Sequence, residues 1–522
     1  MNWIAAPDYW FARLVFERAL AAVYLIAFAS ALAQFRPLLG ERGLLPVPRF
    51  VRAVPFRRSP SLFHLHYSDR SFVAVAGAGA VLSAVTLVGL TARTPLWGSM
   101  VVWAAIWVLY LSIVNVGQVW YGFGWESLLL ETGFLAIFLG SWATAPPALV
   151  LWLLRWLLFR VEFGAGLIKL RGDPCWRDLT CLYYHHETQP MPGPLSWFFH
   201  RMPRPLHKAE VLGNHVAQLV VPFALFTPQP AASVAAALII VTQLWLVLSG
   251  NFAWLNVITI VLALSVVDFS LIGPHIGIAA EPARLAPPPT WDLGVVLALT
   301  AFVAVLSYWP ARNMLSRHQL MNYSFNPFHL VGTYGAFGTI SRTRHEVVVE
   351  GTDEPEVTPH TRWTEYEFKG KPGDPRRLPP QIAPYHLRLD WLMWFAAMSP
   401  RIAEAWFVPF VLKLLANDHA TVKLLRSNPF PETGPTFVRA RLYRYRFTDR
   451  RERRETGAWW SRTLLGEYLP RVPRTRPPIL DLSGRIVRFK PRQVQDRRCG
   501  WPGVATPSVR RPPRRVRRGA AR

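Results

Sequence analysis

The chain has 522 residues, 51% of them hydrophobic, with 23 Trp, 31 Phe and a formal net charge of +26. A mean hydropathy of +0.19, together with apolar runs of bilayer-spanning length, excludes an ordinary soluble enzyme and implies a multi-pass membrane protein. The positive charge is almost wholly arginine, about seven for each lysine, which suits anionic lipid headgroups at about 1 kcal/mol per basic residue near the surface and also GC-rich codon usage; membrane lipids, and no nucleic acid, are the expected partners of that charge.

The expected fold class is a polytopic α-helical membrane bundle of about nine spans followed by a smaller α+β domain with antiparallel strands. Spans are read near 14–35, 72–92, 98–117, 122–142, 148–170, 210–227, 231–249, 253–269 and 291–309. The first follows Arg13, Glu17 and Arg18 and continues at spanning length, so it reads as an insertion signal and not as a cleavable leader. The expected domains are 1–310, transmembrane; 311–470, α+β; and 471–522, a Pro/Arg-rich disordered tail.

In the fourth span Glu126 and Glu131 are five apart, about 140° around a helix, so each needs its own partner, and the basic face of the next span is the nearest source. That fifth span carries Arg155, Arg160, Glu162 and Lys169. Charge near the bilayer centre costs about 2.5–3.5 kcal/mol per group, so these side chains must face protein. Arg155, Glu162 and Lys169 are seven apart and share one narrow stripe, which serves either an ion-pair ladder or a substrate or proton site.

The span runs into a loop holding Cys175 and Cys181, which can pair across five intervening residues if the loop faces an oxidising compartment. The third cysteine is Cys499, and three cysteines spell out no zinc site. His185 and His186 with Glu187 are a weak metal signal, because adjacent side chains point apart. No metal and no cofactor is expected. The sixth span opens with Glu210, then Asn214 and Gln218 at i+4 and i+8 with His215 beside them, a polar stripe facing the same interior.

PARLAPPPT (282–290) precedes the last span, and beyond Pro310 the pattern changes. HEVVVEG (345–351), RWTEYEFKG (362–370) and FVRARLYRYRFT (437–448) alternate as half-buried strands, while 384–398 and 403–415 read as two apolar-faced helices. No nucleotide loop, zinc-protease helix or nucleophile elbow is present.

LLGERGLLP (38–46), YGFGWESLLLETGF (121–134), FRVEFGAGLIKLRGDPCWRDLTC (159–181), ETQPMPGPLSWFFH (187–200), SGNFAWLN (249–256), NPFHLVGTYGAFG (326–338), EYEFKGKPGDPRR (365–377), PYHLRLDWLMWFAAM (384–398) and RARLYRYRFT (439–448) together resemble the lipase maturation factor family, over most of the chain. The resemblance implies a membrane-embedded maturation factor and not an enzyme. Its partner would be a secreted client such as a lipase, which it helps to fold and assemble. Relatives in animals reside in the endoplasmic reticulum membrane with the C-terminal domain in the lumen; in a bacterium the cytoplasmic membrane takes that place.

EFGAGLIKL (162–170) followed by Trp176 also resembles the membrane core of the vitamin K-dependent gamma-carboxylase group. That similarity implies an alternative, a membrane enzyme acting on a lipid-soluble substrate such as a quinone, with Lys169 as base and Glu162, Arg155 and His215 around it. Topology pulls two ways. The basic loops 36–71 and 170–209 fall on one side, which the positive-inside rule assigns to the cytoplasm together with the second domain, whereas the family resemblance implies the exterior.

Overall fold

A computed structural model describes residues 4–272 and 285–474; Cys499 and the expected tail beyond 474 lie outside the described residues. The membrane region is built from α1 (Trp10–Leu39), α2 (Asp69–Leu87), α3 (Leu96–Val116), α4 (Gly124–Ala136), α5 (Ala148–Arg171), α6 (Leu182–Thr188), α7 (Arg204–Leu219), α8 (Ala231–Ser249), α9 (Leu255–Leu264) and α10 (Thr290–Leu306), with shorter helical turns between them. Prolines mark several starts: Pro95, Pro147, Pro230 and Pro289 stand directly before α3, α5, α8 and α10, where a fixed φ and a missing N–H do no harm to the helix. Helix α2 opens instead on a capping box between Ser68 and Ser71. Its small-residue stripe lets α1 approach closely, and a Cβ on Gly79 would land in the Phe28 ring.

Among the described residues, five helices are long and apolar enough to cross a bilayer: Pro7–Leu39, Asp69–Leu87, Leu96–Val116, Ala231–Ser249 and Thr290–Leu315. The remaining expected spans differ from simple crossings. Helix α5 has 24 residues and the length, but carries Arg155, Arg160, Glu162, Lys169 and Arg171. Helices α4 and α9 have only 13 and 10 residues, against the ~20 a bilayer requires. Both pack among α1 and α5, so protein surrounds them. The span expected at 210–227 is broken after Leu219 and resumes as the short turn Val221–Ala224, where Pro222 has no N–H to continue the ladder.

The C-terminal domain carries a four-stranded antiparallel sheet in the order β2-β1-β3-β4, formed by β1 (Arg344–Thr352), β2 (Thr364–Glu365), β3 (Phe437–Phe447) and β4 (Trp460–Pro473). Two helices, α11 (Arg388–Met398) and α12 (Phe407–Leu415), accompany it. Three differences from the sequence reading stand out. The strand expected over 362–370 contracts to two residues, because its later residues turn away as a buried loop held by Asp390, which accepts the amides of Gly370 and Lys371. Strand β4 reaches Pro473, so the sheet includes residues assigned to the tail, with Val438 and Val472 in register. Finally β1 is buried almost throughout instead of on one face, since it lies between two strands with α11 packed against it.

Candidate functional site

Charged and polar side chains of the bundle do turn inward, but into several separate groups instead of one. The first centres on Lys169 and Glu162. The Lys169 ammonium donates to Asn214 Oδ1 (2.8 Å) and Gln218 Oε1 (2.9 Å), and the Trp176 ring lies 5.0 Å from Nζ. Gln218 Nε2 donates to Glu162 Oε2 (3.2 Å), Gln243 Nε2 to Glu162 Oε1 (2.7 Å), and Asn256 Nδ2 to Gln243 Oε1 (2.6 Å). A continuous hydrogen-bonded chain thus joins α5, α7, α8 and α9. Both Glu162 oxygens accept amide protons, and Lys169 is 5% exposed. Full satisfaction of this kind rigidifies a core and specifies its packing.

The second cluster is Glu131 with Arg160, which pair as a bidentate ion pair. Tyr334 Oη donates to Glu131 Oε2 at 2.6 Å and Arg160 donates to the Gly332 carbonyl at 2.8 Å, so residues 332–334 are fastened to the bundle. In the third, Glu126 accepts from Arg388 Nη1 (2.7 Å) and from Tyr110 Oη (2.5 Å). Arg388 also donates to the Trp120 carbonyl at 2.8 Å and lies 3.4 Å from the Tyr121 ring centroid. Beside it, burial and the Arg388 charge lower the His386 imidazole to about 4 against the pull of Glu126, and Trp125 Nε1 donates to its Nδ1 at 3.4 Å. Arg155 stands alone in the fourth position, donating to Tyr9 Oη (2.8 Å) and the Leu225 carbonyl (3.1 Å), 4.7 Å from the Trp152 ring.

Several sequence-derived groupings therefore need correction. Arg155 shares a stripe with Glu162 and Lys169 but meets neither, because its guanidinium reaches the start of α1. Glu126 finds its cation on α11, not on α5. Glu210 does not join the Lys169 chain; Trp245 Nε1 donates to its Oε1 at 2.6 Å, and its other oxygen faces His186 and His207. His215, grouped with Lys169 and Glu162 as a candidate catalytic residue, bonds the Trp176 carbonyl at 3.0 Å. Cys175 and Cys181 are joined by a disulfide.

Residues missed at the sequence level include Gln243, Asn256, Tyr334, Arg388 and His207. Gln243 had a usable signal, as a single amide inside the otherwise apolar α8. Arg388 had none, because an arginine in an extramembrane helix is ordinarily solvated.

The C-terminal domain seats on the loop between α5 and α7. Arg342 pairs with Asp173 at 2.8 Å, an arrangement that, against its own partial burial, holds the Asp173 carboxyl below its ordinary value. Arg344 donates to the carbonyls of Glu187 (3.0 Å) and Pro190 (3.1 Å) and pairs with Glu346, which Lys371 also meets at 2.9 Å. Trp197 Nε1 donates to the Thr448 carbonyl at 2.9 Å, and Glu187 accepts the Phe447 amide at 2.7 Å.

Residues 11–273 match the model of the lipase maturation factor transmembrane domain, and residues 330–470 that of the lipase maturation factor C-terminal domain. Lipase maturation factor 1 of Bos taurus is 43% identical over 513 residues, covering 90% of this chain and 90% of the relative. The mouse protein of the same name is 41% identical, covering 88% of this chain and 87% of the relative, and human lipase maturation factor 2 is 30% identical, covering 88% and 82%. No solved structure matches the chain. With both family models in order along one multi-pass membrane chain, and relatives aligned over nearly their whole length, the protein belongs to the lipase maturation factor family.

Proposed function

We propose that this protein is a membrane-embedded maturation factor for secreted clients, lipases being the first class to test, and that its C-terminal domain meets them on the non-cytoplasmic side. The observation that carries the reading is the near-full-length identity with lipase maturation factor 1 of Bos taurus, 43% across 90% of both chains. Saturation of Lys169 by two amide oxygens and of Glu162 by two amides supports a structural role for the membrane core over base catalysis on a quinone, since a general base needs a lone pair within reach of its substrate.

Helix ends support nine crossings. At one end, Ala6 bonds Pro146 (2.9 Å), Ala145 bonds Ala286 (2.9 Å), and Gln229 bonds Tyr9 (2.7 Å) and Val266 (3.0 Å). Opposite ends meet the C-terminal domain: Gln34 bonds the His386 carbonyl (2.7 Å) and Asn251 the Pro380 carbonyl (2.9 Å). An odd number of crossings puts the N-terminus and the C-terminal domain on opposite faces. The disulfide sits beside that domain, which supports an oxidising compartment there. Basic loops on that side run against the positive-inside tendency, which weakens for segments translocated with a whole domain. For a bacterial host this is the cytoplasmic membrane, with the domain outside.

Deletion of the gene, with complementation by the full chain, tests the proposal. Active secreted lipase per unit of lipase protein should fall on deletion and return on complementation; unchanged activity and abundance would end this reading.

A further inference from the structure

Beside the Lys169 chain, and separate from it, lies a further buried group of a different character. His207 and Glu210 are three apart in the first half of α7 and so share one face. The facing α6 contributes His186. The rings of His186 and His207 are 5.7 Å apart and tilted by 32°. His186 is 1% exposed and His207 2%.

The separations are 3.9 Å from His186 Nε2 to Glu210 Oε2 and 3.7 Å from His207 Nδ1 to the same oxygen. Both are beyond hydrogen-bond range, which ends near ~3.2 Å for N–H···O. Accordingly both ring nitrogens of His186, Nδ1 of His207 and Oε2 of Glu210 are buried without a hydrogen-bond partner. One unpartnered nitrogen is a packing accident; three unpartnered atoms, His186 Nε2, His207 Nδ1 and Glu210 Oε2, converging on one point need a common partner. One ligand atom from each residue lies within 4.8 Å of the other two. Ligands on a tetrahedral ion at about 2.0–2.1 Å stand roughly 3.4 Å apart, so small side-chain shifts close the site.

We propose that His186, His207 and Glu210 bind a divalent transition-metal ion, with Zn2+ as the fitting species and a water in the fourth position. Two imidazoles and one carboxylate match zinc and its neighbours; calcium and magnesium prefer all-oxygen sites, and copper(I) prefers sulfur. The Trp245 indole holds the carboxylate through Oε1 and leaves Oε2 for the ion, the usual outer partner of a metal ligand. Such an ion clamps α6 to α7. Because Glu187, next to His186, accepts the Phe447 amide of β3, the clamp stiffens the platform that carries the C-terminal sheet.

The test uses the full chain in mild detergent, treated with chelator and then titrated with Zn2+ and with Co2+. Expected are one ion per chain, the visible absorption of tetrahedral Co2+, and a zinc-dependent rise in thermal midpoint. His207→Ala and Glu210→Gln should each weaken zinc binding more than about tenfold, and Trp245→Phe by about tenfold, while His215→Ala, on the same helix, leaves it unchanged. His186→Gln, which retains much of the ring's volume, guards against a variant that fails to fold, with gel-filtration profiles checked for each. No stoichiometric binding by the wild-type chain, or binding undiminished in both well-folded His207→Ala and Glu210→Gln proteins, overturns the proposal.

Discussion

Removing the Arg388 guanidinium should loosen the junction between the two domains. Arg388 and Glu126 are both fully buried, 2.7 Å apart, with Tyr110 on the other carboxylate oxygen and the Tyr121 ring under the guanidinium. In Arg388→Met the side-chain volume is largely kept, but Glu126 is left with one hydroxyl donor and no cation. Losing one partner of a buried pair costs about 3–5 kcal/mol, most of it from the orphaned charge. Glu126→Gln/Arg388→Met removes that charge, so the double variant should lie within about 1–2 kcal/mol of wild type, because a buried pair replaced as a unit is often nearly neutral. Tryptophan fluorescence during SDS titration in mixed micelles, run as a double-mutant cycle, reads both values. A coupling within about 0.5 kcal/mol of zero would refute the claim that this contact holds the domains together.

Lys169→Gln retains an amide donor for Asn214 and Gln218 and should leave lipase maturation per molecule within about twofold of wild type, whereas loss of a catalytic base would lower it by about 10²–10⁴-fold. Replacing Cys175 and Cys181 by serine opens a loop with a sequence separation of 6 and should destabilise the protein by about 2 kcal/mol in a denaturation series, with a null effect arguing that the crosslink constrains nothing. His386 is buried neutral, lowered to about 4 from 6.5, so the unfolded chain binds the extra proton between those values. Stability is therefore full above pH about 6.5 and declines by about 3 kcal/mol as pH falls toward 4. His386→Gln should flatten that part of the acid limb, and an unchanged limb would show that other groups carry it.

Membrane character, family and the inward turn of α5 were legible without coordinates, because each depends on local quantities: run length, composition, and the cost of charge in hydrocarbon. The positions of strands β1 and β3 were legible for the same reason, although the alternation of β1 did not foretell its burial on both faces. Partner choice was not legible. Arg155, Glu162 and Lys169 share a stripe by helical geometry, yet only Glu162 and Lys169 are joined, through Gln218, while Arg155 meets Tyr9 and the Leu225 carbonyl, because the neighbours of a helix are set by how other helices pack. Glu126 pairs across 262 positions with Arg388 and Glu131 bonds Tyr334 across 203, separations at which periodicity carries no information. His207 and Glu210, three apart, share a face of α7 by helical periodicity, but His186 stands 21 residues before His207, and the segment 189–203 with its short helix Ser196–His200 returns the chain so that the three meet. Sequence thus determined which residues could not face lipid; tertiary packing decided what each would face instead, since burial is a property of one residue's chemistry and pairing is a property of two.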